Sequence, residues 1–393
     1  MVVIKILGIV AEFNPFHNGH AYLLNKVRES GATHTVCVMS GNFVQRGDIA
    51  ICSKVARAEM ALRSGADLVL ELPVTFATAT AQRFARGAVA TLNALGCIDA
   101  LAFGSECGDA ERLSTLADAL NDNRVSQRIH EHLQSGITFA AARERALSEC
   151  GYSGEILRNP NDTLAVSYIE AINAIGAKMT PIAVKRVGIA HDGGADGEFA
   201  SASHIRSLIN EGKAVSPYIP HGALQILERE INAGNAPFSL ERLEVASLAR
   251  LRSMTVDEMA SLPDISEGLE HRLYRATREQ ASVADIISAV KTKRYTQARL
   301  RRIVLCALLG LDKSVCSIDP QYIRVLGMNE KGRRILAAAQ PTLPLIARAK
   351  DASELNRFGT LLLAAEQRAD NLAALASPAV GKCKSTLSQI ALV

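Results

Sequence analysis

The segment Ala11-Glu12-Phe13-Asn14-Pro15-Phe16-His17-Asn18-Gly19-His20 follows a short apolar run and leads into the helical sequence Ala21-Tyr22-Leu23-Leu24. A strand, a proline-containing turn and a helix start therefore come in that order. Gly19 carries no side chain, so a ligand can approach the backbone between His17 and His20. The unpaired N–H groups and positive dipole end of a helix favour phosphate at that point. Two imidazoles beside such a site are donors suited to a nucleoside triphosphate. A zinc pair is the competing reading, but spacing places no third ligand near the two histidines. No Gly-x-x-x-x-Gly-Lys-Ser/Thr sequence occurs and no Gly-x-Gly-x-x-Gly follows the first strand, which excludes a P-loop and the dinucleotide fingerprint.

Holding such a loop in place requires a sheet. Apolar runs rich in Val, Ile and Leu near 3–11, 33–39, 67–72, 98–103 and 181–186 are too short for helices and predict strands. Helical spacing fills 20–29, 54–64, 81–95, 111–120 and 163–175 between them. This alternation predicts an α/β fold whose parallel sheet is covered on both faces, with its ligand beyond the carboxyl ends of the strands. Ser216-Pro217-Tyr218-Ile219-Pro220 and Gly234-Asn235-Ala236-Pro237 then punctuate the chain. Beyond them helical patterns dominate, around 239–252, 266–280, 283–290 and 296–310, with no convincing strand pair. The division expected is a nucleotide-handling domain over 1–215 and a mainly α-helical domain over 216–393.

Composition agrees with two ordinary globular domains. The 393 residues are 48% hydrophobic and 21% charged, too apolar for a disordered chain, and 4% aromatic with no Trp, which disfavours an all-β fold. Eight cysteines include no C-x-x-C pair and read as reduced thiols. The opening apolar run reaches only Glu12 and has no charged leader or cleavage site, so it reads as a first strand; a cytoplasmic protein with no membrane partner is expected. The net charge of +4 permits a polyanion partner without requiring one. Local charge is more telling. Lys291-Thr292-Lys293-Arg294-Tyr295-Thr296-Gln297-Ala298-Arg299-Leu300-Arg301-Arg302 carries six cations and no acid. Such a run is a solvated helix face or a phosphate grip, and Tyr295 adds a ring on which an unpaired base can stack. Lys291, Lys293, Arg294, Tyr295, Arg299, Arg301 and Arg302 are accordingly candidate RNA contacts.

The histidine segment resembles the signature of the nucleotidyltransferase superfamily, whose members attack the α-phosphate of ATP and release pyrophosphate. A narrower resemblance rests on Met39-Ser40-Gly41-Asn42-Phe43-Val44-Gln45-Arg46-Gly47-Asp48, Ser53-Lys54, Asp67-Leu68-Val69-Leu70-Glu71-Leu72-Pro73, Phe103-Gly104-Ser105-Glu106, Glu267-Gly268-Leu269-Glu270-His271-Arg272 and Lys291-Thr292-Lys293-Arg294-Tyr295. These are similar, in register and in order from residue 3 to roughly 335, to the tRNA(Met) cytidine acetate ligase family. The resemblance implies a ligase that activates acetate with ATP as acetyl-adenylate and passes the acetyl group to N4 of the wobble cytidine of elongator tRNA(Met). Mg²⁺ is expected on the phosphates, and no obligatory protein partner is inferred.

The resemblance places the family's ATP site on Leu7, Gly8, Ile9, Val10 and the residues from Ala11 through His20, together with Gly104, Asn161 and Arg186, with His17 and His20 catalytic. Ala200-Ser201-Ala202-Ser203-His204-Ile205-Arg206 resembles the superfamily's second phosphate-binding segment, which makes Ser201, Ser203 and Arg206 candidates; Ala202 stands where a second serine is usual. Ser40, Gly41, Arg46 and Lys54 are candidates for the acetate and cytidine side. Two other functions fit the same loop. A small-molecule adenylyltransferase acting on pantetheine phosphate or nicotinamide mononucleotide would have no need of a basic helical domain. A nucleotide-gated RNA-binding protein would not require both histidines, because binding alone needs no transition-state stabilisation.

Overall fold

The computed structural model describes residues 5–187, 194–266, 268–383 and 386–393. Glu267 of the motif above lies outside the described residues. Eight strands form one sheet: β1 (Ile6–Ala11), β2 (His34–Ser40), β3 (Leu68–Leu72), β4 (Ala100–Ser105), β5 (Thr180–Lys185), β6 (Ile323–Met328), β7 (Leu345–Ile346) and β8 (Ala391–Leu392). Their order is β7-β6-β3-β2-β1-β4-β5, with β8 also paired to β6. The first five strands pair in parallel. The chain moves outward from β1 through β2 to β3, then returns to place β4 on the other side of β1. The order thus reverses between β1 and β4, the point at which a crevice opens above a doubly wound sheet.

Alternation along each strand feeds two cores. Val36 and Val38 face one side with Leu68, Leu70, Leu101 and Phe103, and are covered by helices Ala81–Ala94, Ala110–Ala119 and Pro160–Ile175. Leu7, Ile9, Cys37 and Met39 face the other, beneath helices Asn18–Glu29, Lys54–Arg63 and His221–Asn232. Burial pushes the Cys37 and Cys52 thiols up to about 12, so neither is a nucleophile at neutral pH.

After residue 215 the chain first completes the second of these cores through Ala223, Ile226, Leu227 and Ala236. Helices Glu244–Ser253, Leu269–Glu279, Val283–Val290 and Gln297–Leu309 then gather around a separate core that includes Leu251, Leu273, Ile286 and Ile303. The expectation of no convincing strand pair beyond residue 215 is corrected by β6, β7 and β8: β7 and β8 each pair with β6, and together they rejoin the main sheet. β6 runs antiparallel to β3, with a register shift between Val325 and Gly327. Arg324 and Gly327 interrupt its apolar pattern, which hid the strand in the sequence; Arg324 is buried opposite Glu71 of β3. β7 and β8 have two residues each, below what a pattern can register. Among the described residues no helix is long and apolar enough to cross a membrane.

Candidate active site

At the end of β1 the chain turns through Phe13, held at φ +46°, and starts helix Asn18–Glu29 with His17 as its N-cap. A positive φ at a bulky residue is strained and persists only where its surroundings enforce it. Here Phe13 and Phe16 are buried with their ring centroids 5.0 Å apart. Asn14 is buried as well; its side-chain oxygen accepts the Ile51 N–H at 2.7 Å. Arg57, fully buried, donates to the carbonyls of Glu12, Ser40, Gly41 and Cys52. It ties the ends of β1 and β2 to the 40–52 loop, and nothing in its helical sequence context distinguishes it from a surface arginine.

The two imidazoles form a reciprocal cap. His17 Nδ1 accepts the Gly19 N–H at 3.1 Å, and His20 Nδ1 accepts the His17 N–H at 3.2 Å. The rings stack with centroids 3.8 Å apart. A Cβ on residue 19 would lie 2.9 Å from His17 Cε1, so glycine is needed for the ring to fold back over the helix end. With both Nδ1 atoms accepting, the hydrogen-bond pattern assigns the ring proton of each neutral imidazole to Nε2. Burial, followed by Arg186 and Arg206, lowers the His17 pKa from 6.5 to about 3. Burial, then His17 and Arg186, holds His20 well below its ordinary value. Both rings are therefore neutral donors at pH 7.

This depression has a consequence for stability. Below pH 6.5 the unfolded chain takes up a proton that native His17 refuses until about pH 3, so stability present at neutral pH is lost as pH falls through that window. His17→Asn keeps a capping side chain and removes the titration. Thermal melts from pH 7 to pH 4 should show a shallower loss for the variant than for the wild type; parallel curves would contradict the neutral-imidazole assignment.

The histidines open onto a cavity of about 480 Å³ at the β1/β4 switch point. Val10, Ala11, Glu12, Phe13, Asn14, Gly19, Gly104, Asn161, Arg186, Ser201, Ser203, Arg206 and Arg46 also line it. Phe84, Phe103, Leu164 and Tyr168 give it apolar walls, and the start of helix Ala202–Asn210 also borders it. Ser201 caps that helix by accepting the His204 N–H, and its hydroxyl lies 3.1 Å from that of Ser203. Arg206 donates to the Asn14 carbonyl at 2.9 Å, which aims its guanidinium at the histidine loop. A Cβ on Gly104 would meet Arg186 at an ordinary 3.5 Å, so the protein itself has room for a side chain there. Any demand for glycine at 104 comes from the ligand's side.

Asn161 is the second residue of helix Pro160–Ile175 and does not cap it; its amide donates to Glu106 Oε1 at 2.6 Å. The neighbouring Asp162, fully buried, accepts from the Ser105 hydroxyl, the Cys107 N–H and Asn159. Glu106 and Asp162 thus fix the helix start against the end of β4, a pairing sequence spacing does not reveal.

Other expected residues stand away from the cavity. The side chains of Leu7 and Ile9 are in the core, a Cβ on Gly8 would meet Leu92 at 2.8 Å, and Pro15 and Phe16 are buried. Asn18 latches the loop to the carbonyls of Glu198 and Pro217. Ser40 and Gly41 are buried at the end of β2. Lys54 is enclosed by carboxylates, 2.5 Å from Glu71 and 2.8 Å from Asp370. In the basic run, Tyr295 is 5% exposed within the helical core, with the Arg272 and Arg299 guanidinium groups 5.7 and 5.2 Å from its ring centroid, so the ring is not displayed for a base. Arg299 donates to the Asp264 carbonyl and Arg302 pairs with the Asp264 carboxylate at 2.9 Å. Lys291, Lys293, Arg294 and Arg301 are the exposed cations of the run.

A strained loop at the switch point, paired imidazoles and a second helix start thus meet at one cavity, and residues 4–386 match the HIGH Nucleotidyl Transferase family. Curated relatives named tRNA(Met) cytidine acetate ligase include one from Thermoanaerobacter sp. (strain X514), 42% identical over 86% of this chain and 87% of the relative. Another, from Thermotoga maritima, is 41% identical over 83% of this chain and 82% of its own length. The crystal structure of Thermotoga maritima TmcAL bound with alpha-thio ATP superposes with a TM-score of 0.90 at 37% identity, covering 96% of each chain. Its apo form superposes at 0.94 with 36% identity over 99% of this chain and 100% of that one. The chain belongs to the tRNA(Met) cytidine acetate ligase family.

Proposed function

We propose that this protein activates acetate with ATP as acetyl-adenylate, releasing pyrophosphate, and transfers the acetyl group to N4 of the wobble cytidine of elongator tRNA(Met). The observation that carries the reading is the convergence of His17, His20, Arg186 and Arg206 on one cavity at the sheet's switch point. Its apolar walls suit adenine, and its cations with Ser201 and Ser203 suit the triphosphate. Acetate is ionised near neutral pH and attacks the α-phosphorus without a general base. The two Nε2–H donors and the two guanidinium groups stabilise charge that grows on the phosphoryl oxygens and on departing pyrophosphate. Mg²⁺ fits as part of the nucleotide, because among the described residues Glu12 is the one carboxylate lining the cavity and no cluster of three metal-ligating residues occurs. When bound it neutralises phosphate charge. A cytoplasmic location follows from such a substrate.

Acetate-dependent exchange of labelled pyrophosphate into ATP, without tRNA, tests the first half-reaction. Exchange stimulated by phosphopantetheine or nicotinamide mononucleotide, with acetate inert, would favour the small-molecule adenylyltransferase.

The RNA grip belongs to the helical cluster. Lys291, Lys293, Arg294 and Arg301, changed together to Ala, should weaken tRNA binding and flatten its log–log salt slope by roughly 0.7–0.9 for each phosphate the variant no longer neutralises. Arg302 is left alone because its ion pair with Asp264 is structural. Unchanged affinity with unchanged slope would make the run a solvated face.

A further inference from the structure

A second cavity, about 390 Å³, lies beside the nucleotide pocket, and Arg206 lines both. The hairpin of Phe43–Val44 and Asp48–Ile49 forms the seam between them. Gln45 and Arg46 at its tip line the first cavity, while Gly47, Asp48 and Ile49 line the second. Gly47 has φ +72°, and a Cβ there would lie 2.6 Å from the Arg302 nitrogen, so the hairpin is pressed against helix Gln297–Leu309. The helical cluster is thereby seated against the rim of the ATP site, and Arg301 of the basic run becomes a wall residue of the second cavity.

The size falls in the small-ligand range of roughly 300–1,000 Å³. Phe238, Ile287 and Leu308 give apolar walls suited to the faces of a flat ring. Three carboxylates, Asp48, Glu241 and Glu244, can accept from an amine on its edge. They are not equivalent. Glu244 already accepts the Val283 N–H at 2.7 Å, and Glu241 is exposed. Asp48 accepts the Ile49 N–H through Oδ1 at 2.8 Å, and its Oδ2 carries no hydrogen bond among the described residues. Of the charged groups acting on Arg206, Asp48 acts most strongly.

We infer that the second cavity receives the cytosine ring of the acceptor nucleotide and that Asp48 takes the proton its exocyclic amine loses during acyl transfer. This rests on the acetyl-adenylate reading above. The N4 lone pair attacks the acetyl carbonyl carbon, and the C–N bond forms. The bond from that carbon to the phosphate oxygen breaks, with its electron pair leaving on AMP. The attacking nitrogen gains positive charge and becomes acidic, so a carboxylate is a sufficient base, and one proton passes to Asp48 Oδ2. Arg206, on the wall common to both cavities, faces the departing phosphate. Arg301 at the second cavity meets the RNA backbone.

Two variants test this. Asp48→Asn keeps an acceptor for the Ile49 N–H and removes the base. Ala284→Trp, from an exposed position lining the cavity, fills the space the ring would occupy. In single-turnover assays with preformed acetyl-adenylate, Asp48→Asn should slow acetyl transfer to tRNA by about a hundredfold or more, with acetate-dependent exchange within about threefold of wild type. Ala284→Trp should impair transfer at least about tenfold with the same sparing of exchange. Transfer within about threefold of wild type in either variant, or equal loss of exchange and transfer in Asp48→Asn, overturns the inference. Absence of acetate-dependent exchange in the wild type would instead overturn the acetyl-adenylate reading on which it rests.

Discussion

Replacing His17 or His20 with alanine should lower acetate-dependent pyrophosphate exchange by about a hundredfold or more, because each change removes a donor aimed at charge that develops in the transition state. The two effects should not add. His20 Nδ1 holds the backbone that carries His17, and His17 Nδ1 holds the Gly19 N–H, so losing one ring loosens the other. Stability should fall by only about 0.5–2 kcal/mol, the range for losing a helix cap. A double variant with near-normal exchange would remove the loop from the chemistry.

The second large effect concerns Lys54. Its ammonium is 1% exposed and lies 2.5 Å from Glu71, 2.8 Å from Asp370 and 3.8 Å from Glu366. Arg324 of β6 pairs with Glu71 at 3.2 Å from the other side. Burial favours protonation of Glu71, but Lys54 and Arg324 outweigh it and keep the carboxyl below its usual range. Burial, then Glu71, pushes Glu366 well above its range, which favours its protonated form, and its Oε1 accepts the Val74 N–H. Two cations then balance two carboxylates. The cluster fastens helix Arg357–Leu375, which carries Glu366 and Asp370, and β6 to the start of helix Lys54–Arg63. Lys54→Met leaves two buried anions facing one cation and should cost about 3–5 kcal/mol in denaturant unfolding. A fall in stability below about 1 kcal/mol, accompanied by a rise in the KM for acetate, would return Lys54 to the acetate side, which its position after the 40–48 loop suggests.

How far the sequence reaches depends on whether a residue's role is local. The first five strands and five of the helices between them are legible because each is bounded by its own periodicity and turn residues, whereas helices Asn123–Gln134 and Phe139–Glu149 are not among those the spacing predicts. His17, Gly19 and His20 are legible because cap, glycine and helix start are consecutive in the chain. Arg57, Asp162 and the Lys54 cluster are not, since their roles depend on partners brought in by the fold: Asp370 is more than three hundred residues from Lys54. Buried ion pairs also read as surface residues in a linear pattern, which explains why Arg324 disguised β6. Tyr295 shows the reverse error. An aromatic among cations suggests a base-stacking platform, but its ring closes the helical core and the arginines around it pack on it or serve Asp264.

The most direct test of the proposed activity is a product analysis. The protein is incubated with ATP, Mg²⁺, ¹³C-acetate and bulk tRNA, and the digested RNA is read by mass spectrometry. Labelled N4-acetylcytidine should be confined to the wobble position of elongator tRNA(Met), with AMP and pyrophosphate formed in equal amounts. Consumption of ATP without labelled cytidine, or label on another nucleoside, would contradict it.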